Sequence, residues 1–258
     1  MTDQSIQLPR FVLTPPAPCP YLPGRMERKV FTELVGDPAQ ALNDALTQIG
    51  FRRSQNVLYK PACDGCNACI SVRIPVNQFA PTRSMRRILS RNDDLSKARA
   101  PLEISAEQFS LMRRYLAARH ADGGMANMDI HEFSEMVEHS PVDSFVMEYR
   151  TRTDEGEAGP LVAACLSDLM TDGLSMVYSF YDPDVRRRSL GTFMILTHVD
   201  LARRMGLHYV YLGFWIENCR KMAYKTRFRP LEMLGVEGWV PFVSQGQNPI
   251  PREIGFTH

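Results

Sequence analysis

The 258-residue chain is short of several things, and each shortage narrows what it can be. Its first residues, MTDQSIQLPR, hold no basic stretch followed by an apolar one, so no secretory leader is expected. No apolar run approaches the roughly 20 residues of a membrane-spanning helix. Internal repeats and low-complexity tracts are absent from the sequence. Neither charge sign is in excess: 30 basic residues face 29 acidic ones, and a formal net charge of +1 does not announce a nucleic-acid partner. Cysteine is scarce, at six residues. Together these features predict a cytoplasmic protein without membrane contact, whose thiols are kept reduced. No Ser-His-Asp or Cys-His signature is recognisable, so nothing points to a covalent enzyme intermediate.

What is there begins with composition. At 44% hydrophobic residues the chain can bury one large core or two modest ones. Residues 9–23, rich in proline, predict an irregular arm. RKVFTEL (28–34) reads as a strand. A helix follows, with Asp37 as cap, Pro38 in the first turn, an apolar stripe of Ala41, Leu42, Ala45, Leu46 and Ile49, and Gly50 as stop. VLYK and ISVRIPV flank a cysteine loop as strands. The basic segment 83–99 is expected to be helical and to connect an N-terminal unit, 1–100, to a C-terminal one, 101–258. The second unit opens with two capped helices, Ser105 with Gln108 and Asp129 with Glu132, the first stopped by Gly123 or Gly124. Three strands follow, SFVMEYRT, LVAACLSDLM and LSMVYSFY, the last two joined by a Thr171-Asp172-Gly173 hairpin. Next come a helix capped by Ser189 and ended by Gly206, the strand HYVYLGF, a short amphipathic helix ENCRKMAYKTRF, and a final strand pair. The fold class is therefore α/β (α+β). Helices, an antiparallel meander and a helix crossover to another strand give the order of a GNAT-type acyltransferase domain, preceded by a mixed α/β unit carrying the cysteines.

Two basic clusters suit a phosphate backbone despite the balanced total charge. One is 83–99, with Arg83, Arg86, Arg87 and Arg91; the other is Arg186, Arg187 and Arg188. The alternative for each is a solvated helix face or charged turn. In the cysteine loop, Cys63, Cys66 and Cys69 stand three apart. Two overlapping Cys-x-x-Cys spans share Cys66, so they cannot both be disulfides. Reduced, and with Cys19 as a remote fourth thiolate, they match the ligand economy of an iron–sulfur cluster or tetrahedral zinc. Buried or redox-sensing thiols remain the other reading.

The blocks CPYLPGRMERKVFTEL, GFRRSQNVLYKPACDGCNACISVRIPV, RSMRRILSRNDDL, SMVYSFYDPDVRRRSLGTFMILTHVDLA, GLHYVYLGFWI and KMAYKTRFRP cover most of residues 19–230. In them the chain resembles the aminoacyl-tRNA–protein transferases, which include the eukaryotic arginyltransferases, and most of all their shorter bacterial branch, the aspartate/glutamate leucyltransferases. The resemblance implies a GNAT-like fold and the transfer of leucine from leucyl-tRNA to the N-terminal Asp or Glu of a protein, marking it for N-degron degradation. It implies no cofactor for the chemistry. Relatives also carry N-terminal cysteines associated with cluster binding, at different spacing.

The residues expected to carry this reaction follow from its needs. A GNAT phosphate loop corresponds here to Arg186–Gly191, with Ser189 where a glycine is expected; that departure weighs against acyl-CoA and suits tRNA phosphate. The acceptor's carboxylate needs cations, for which Arg25, Lys221, Lys225 and Arg227 beside Tyr224 are candidates. Tyr181 and Trp215 are candidates for the leucine or adenine pocket, and Tyr178, Asp182 and Glu217 for catalysis. His198 and His208 read as packing. Arginyl transfer, acyl-CoA N-acetylation and a non-catalytic tRNA-binding or metal-sensing module are the competing functions.

Overall fold

The structure is a computed structural model that describes residues 9–119, 127–153 and 155–243; the expected stop at Gly123 or Gly124 lies outside them. In chain order the N-terminal elements are β1 (Val12–Leu13), β2 (Ala17–Pro18), β3 (Met26–Glu27), β4 (Lys29–Glu33), α1 (Ala39–Gln48), β5 (Arg52–Ser54), β6 (Val57–Pro61) and β7 (Cys69–Pro75). Then come α2 (Arg83–Arg91), β8 (Ser96–Ala100), α3 (Ala106–Arg119) and α4 (Ile130–Val137). The remainder comprises β9 (Ser144–Arg152), β10 (Ala158–Leu169), β11 (Gly173–Tyr181), α5 (Leu190–Arg204), β12 (Tyr209–Ile216), β13 (Glu232–Gly235) and β14 (Gly238–Pro241).

An eight-stranded mixed sheet in the order β14-β13-β7-β12-β11-β10-β9-β8 is the scaffold. The meander β9–β11 and the α5 crossover to β12, parallel to β11, have the order expected of a GNAT-type domain. Both capping boxes form: Ser105 Oγ accepts from the Gln108 N–H at 3.1 Å, and Asp129 exchanges bonds with Glu132. Phe193, Met194 and Val199 of α5 pack into the larger core with β7 and β12, while α3 and α4 cover the other face through Leu111, Met112, Phe133 and Met136. A smaller sheet, β1-β4-β6-β5, carries α1 and lies beside the large one.

The expected division at residue 100 does not follow the large sheet. β7 sits inside that sheet, between β13 and β12, and β8 forms its far edge on β9. Two further links close the seam. The Arg53 guanidinium, from β5, grips the Asp168 carboxylate of β10 at 2.6 and 2.7 Å. On α1, Gln48 donates to Asp172 and to the Tyr211 hydroxyl.

Several local expectations change for identifiable reasons. The basic segment is helical only over Arg83–Arg91, because Asn92 turns its side chain back to donate to the Ile88 carbonyl, and the alternating SKARA that follows pairs with β9. Asp37 does not cap α1, whose buried face is Ala39, Asn43, Leu46 and Thr47. Its polar residues are occupied in bonds to the large sheet, and this rotates the helix away from the simple apolar stripe and leaves Ile49 exposed. The amphipathic helix near 217–228 is instead a 3-10 turn at Ala223–Arg227, entered through Asn218 at φ +61°. Ser189 occupies a left-handed conformation at φ +56° and caps α5 with its carbonyl, not its hydroxyl.

Candidate active site

The parallel pair β11–β12 is where the sheet parts. Ladder pairing joins Gly173–Ser175 to Tyr209–Tyr211 and stops there. Beyond it β11 stays paired with β10 as far as Tyr181, and β12 stays paired with β7 as far as Ile216. Each strand thus keeps its outer neighbour and loses its inner one, which leaves a wedge-shaped cleft with unpaired backbone groups on both walls. Asp182 follows β11 directly and Glu217 follows β12, so the two carboxylates flank the open end.

Arg52 of β5 enters the wedge. Its Nη2 donates to the Val177 carbonyl at 2.7 Å and the Met176 carbonyl at 3.5 Å, and its Nη1 to the Leu212 carbonyl at 3.4 Å. Gly213, at φ +71°, makes room for it: a Cβ there would lie 1.7 Å from Nη1. Lys225 is buried beside it, donating to the Phe214 carbonyl. Burial first, and then the neighbouring Arg52 charge, hold the Lys225 ammonium well below its usual pKa.

Tyrosines line the rest. The Tyr115 and Tyr181 rings lie 4.9 Å apart, and Tyr181 packs over Gly191 in the first turn of α5. The Tyr178 hydroxyl is buried without a hydrogen-bond partner among the described residues, and burial pushes its pKa up to about 12. Burial also raises the Tyr224 hydroxyl, against the pull of Arg52, although 38% of the residue's surface stays exposed. Asp182 is engaged by Arg114 at 3.3 Å and accepts the Asp184 N–H at 3.0 Å. Glu217 is half-buried and carries no such partner among the described residues.

The two basic clusters form one surface at the same end. Asn92, at the C-terminus of α2, donates to the Arg188 carbonyl at 2.9 Å; Arg91 donates to the Arg187 carbonyl; and Arg188 clasps Asp94 with two bonds of 2.8 Å. Arg83, Arg86, Arg87 and Arg91 therefore continue into Arg186–Arg188 and Ser189, next to the α5 N-terminus and Gly191.

The four cysteines expected to act together line a single cavity with Tyr21, Tyr59, Arg25 and Phe214. All four are free thiols; the Arg28 N–H donates to Cys63 Sγ at 3.4 Å. Burial, followed by the nearness of Cys63, Cys19 and Cys66, pushes Cys69 up to about 12. The donor set is soft and comes from two separate segments. As the side chains stand, no group of three or more His, Cys, Asp or Glu among the described residues is arranged to hold a metal ion.

Other expected residues fall elsewhere. Trp215 is a core residue, edge-on to Phe242 at 4.8 Å, because its position in β12 points it away from the cleft. Arg25 belongs to the thiol cavity. Lys221 and Arg227 are exposed, whereas Lys225 is buried. His198 is in the core, as expected, with Nδ1 donating to the Met194 carbonyl at 2.7 Å and Nε2 accepting from Ser167 Oγ at 2.9 Å. Arg52 and Tyr115 were not legible as site residues. The available signal was Gly213, a glycine inside an otherwise bulky strand, which marks a close approach.

A mixed sheet parted at one parallel pair, with a basic face at its open end, places the molecule in the class of GNAT-like acyltransferases. Models of the arginine-tRNA-protein transferase N terminus and C terminus match residues 17–87 and 107–235. The chain is 55% identical over 245 residues to a protein of Sinorhizobium medicae named aspartate/glutamate leucyltransferase, covering 93% of this chain and 94% of that one. It is 57% identical over 240 residues to a protein of the same name from Parvibaculum lavamentivorans, covering 93% and 98%. Among solved structures it is similar to FemX, with 12% identity, a TM-score of 0.47, and coverage of 76% of this chain and 65% of that one. The chain belongs to the arginine-tRNA-protein transferase family.

Proposed function

We propose that this protein moves leucine from leucyl-tRNA to the α-amino group of proteins beginning with Asp or Glu, in the cytoplasm, and so marks them for N-degron degradation. Full-length identity above half with relatives named aspartate/glutamate leucyltransferase is the observation that carries the reading. The parted strands and the adjoining arginines support it, since the donor brings both an acyl ester and phosphates.

The chemistry asks little of the protein. Converting an ester to an amide is downhill. The α-amine has a pKa of about 7.7–8.0, so a usable fraction is neutral near pH 7. Aligning amine and ester can remove about 7–11 kcal/mol of barrier. Arg83, Arg86, Arg87, Arg91 and Arg186–Arg188, with the backbone around Ser189 and Gly191, hold the tRNA phosphates. The Tyr178 hydroxyl keeps its proton at neutral pH, has no partner among the described residues, and is the donor assigned to the oxyanion once substrate reaches its buried position. Glu217, without a partner among the described residues, accepts the amine's proton, with Asp182 as its counterpart across the cleft. Tyr181 packs on the leucyl or adenine group, Tyr224 lies at the acceptor side, and Lys221 and Arg227 attract the acidic acceptor from the surface.

Cys19, Cys63, Cys66 and Cys69 would hold an iron–sulfur cluster or zinc, which would staple the N-terminal arm to β7. No step of the transfer passes through this site.

Arginyl transfer is the second reading, favoured by the arginine-tRNA-protein transferase models that match residues 17–87 and 107–235. The test is incubation with tRNA charged with labelled leucine or arginine and with peptides beginning Asp, Glu or Arg. Label passes from leucyl-tRNA to the Asp and Glu peptides; transfer from arginyl-tRNA alone, or from acetyl-CoA, defeats the proposal.

A further inference from the structure

We infer that Arg52 is the anchor for the acceptor's side-chain carboxylate, which its guanidinium meets at the floor of the wedge between β11 and β12. This rests on the reading that the acceptor begins with Asp or Glu, and it names the residue that enforces the choice.

Three observations lead there. First, Arg52 already donates to three backbone carbonyls, Met176 and Val177 on one wall and Leu212 on the other. These contacts satisfy acceptors that the lost ladder leaves open. A neutral amide would do that without bringing a charge into the sheet, so carbonyl satisfaction alone does not call for arginine. Secondly, the charge has no counter-ion among the described residues. Among the described residues no carboxylate lies within ion-pair distance of Arg52 or of Lys225. Its sequence neighbour differs: Arg52 is half-buried without a carboxylate beside it, whereas Arg53 is buried and the Asp168 carboxylate matches it in a bidentate pair. A half-buried guanidinium with no carboxylate beside it keeps its charge available to an incoming anion. Thirdly, the site is built around the guanidinium. Gly213 at φ +71° is the only kind of residue that leaves its Nη1 space, and the Tyr21 and Tyr224 hydroxyls lie close enough to feel its charge.

Of the anions that the two substrates bring, tRNA phosphates meet the exposed arginines of α2 and the 186–188 turn. A forked guanidinium within a narrow cleft fits a planar carboxylate. Lys225 lies behind it, turned to the Phe214 carbonyl. In this position the carboxylate would sit between walls that end in Asp182 and Glu217, so the acceptor's α-amine faces the open end where the ester arrives.

The experiment measures binding of peptides beginning Asp, Glu, Asn and Gln to the wild type, R52Q and R52K in the absence of tRNA, with leucyl transfer assayed in parallel. In R52Q, affinity for Asp and Glu peptides falls about 30- to 100-fold, while Asn and Gln peptides change less than about twofold and the KM for leucyl-tRNA is unchanged. R52K, which keeps the charge and loses the fork, falls about 10-fold for Asp and Glu only. A uniform loss across all four peptides, or a rise in leucyl-tRNA KM with acceptor selectivity intact, overturns the inference. If R52Q fails to fold, R52K decides on the same ratio. If the wild type transfers nothing from leucyl-tRNA yet R52Q still loses carboxylate selectivity, the proposed donor is wrong and the carboxylate site stands.

Discussion

Removing either member of the Arg53–Asp168 pair should nearly unfold the protein, whereas removing both should not. The two side chains are each 1% exposed. Arg53 Nε and Nη2 meet the two carboxylate oxygens at 2.7 and 2.6 Å, Ser144 Oγ donates to Asp168 at 2.7 Å, and Arg53 Nη1 donates to the Gln55 carbonyl at 2.7 Å. R53M leaves a buried carboxylate with one hydroxyl donor, and D168L leaves a buried guanidinium. Each is expected to cost about 3–5 kcal/mol, because an uncompensated buried charge costs more than the pair contributes. That is a large share of the roughly 5–15 kcal/mol that holds a typical domain folded. R53M/D168L restores an apolar contact of similar volume and should return to within about 2 kcal/mol of wild type, the remainder reflecting Ser144 and Gln55 left without partners. Urea denaturation of the four proteins, read as a double-mutant cycle, supplies the coupling energy. Additive single costs, or singles below about 1 kcal/mol, would refute the argument, since the pair would then not be compensating itself.

His198 gives a pH signature. Burial holds its pKa at about 4, below its ordinary 6.5, so it stays neutral in the fold. Between pH 6.5 and 4 only the unfolded chain takes up this proton, and stability falls as pH falls, by up to about 1.4 kcal/mol per pH unit. H198Q should flatten that part of the urea midpoint-versus-pH curve, and an unchanged slope would show that another group titrates there. For the basic face, replacing Arg83 or Arg87 with alanine should weaken tRNA binding at all sequences and lower the salt slope by about 0.7–0.9 per residue removed; a slope equal to wild type would take those arginines off the tRNA. At the thiol cavity, anaerobically purified protein should carry iron or zinc by elemental analysis and lose it in C63S/C66S. Metal-free protein would end that proposal.

Local grammar made much of this molecule legible. The capping boxes at Ser105 and Asp129, the hairpin at Asp172-Gly173 and the α5 crossover all depend on neighbours within a few residues, and short-range hydrogen bonding and hydrophobic period dictate them. The long motif blocks carried family and reaction on the same terms. The functional cleft was different. Its floor is Arg52, from a three-residue strand, set against carbonyls more than 120 positions away, and nothing near Arg52 distinguishes it from Arg53, which has the opposite fate. Trp215 and Lys225 turned inward for similar reasons, since strand alternation and a 3-10 turn aim a side chain only once their neighbours are in place. Sequence by itself determined which elements form and what chemistry the chain can present. Tertiary structure alone decided which cation pairs internally and which has no counter-ion among the described residues, because burial and charge compensation are properties of surroundings assembled from distant segments.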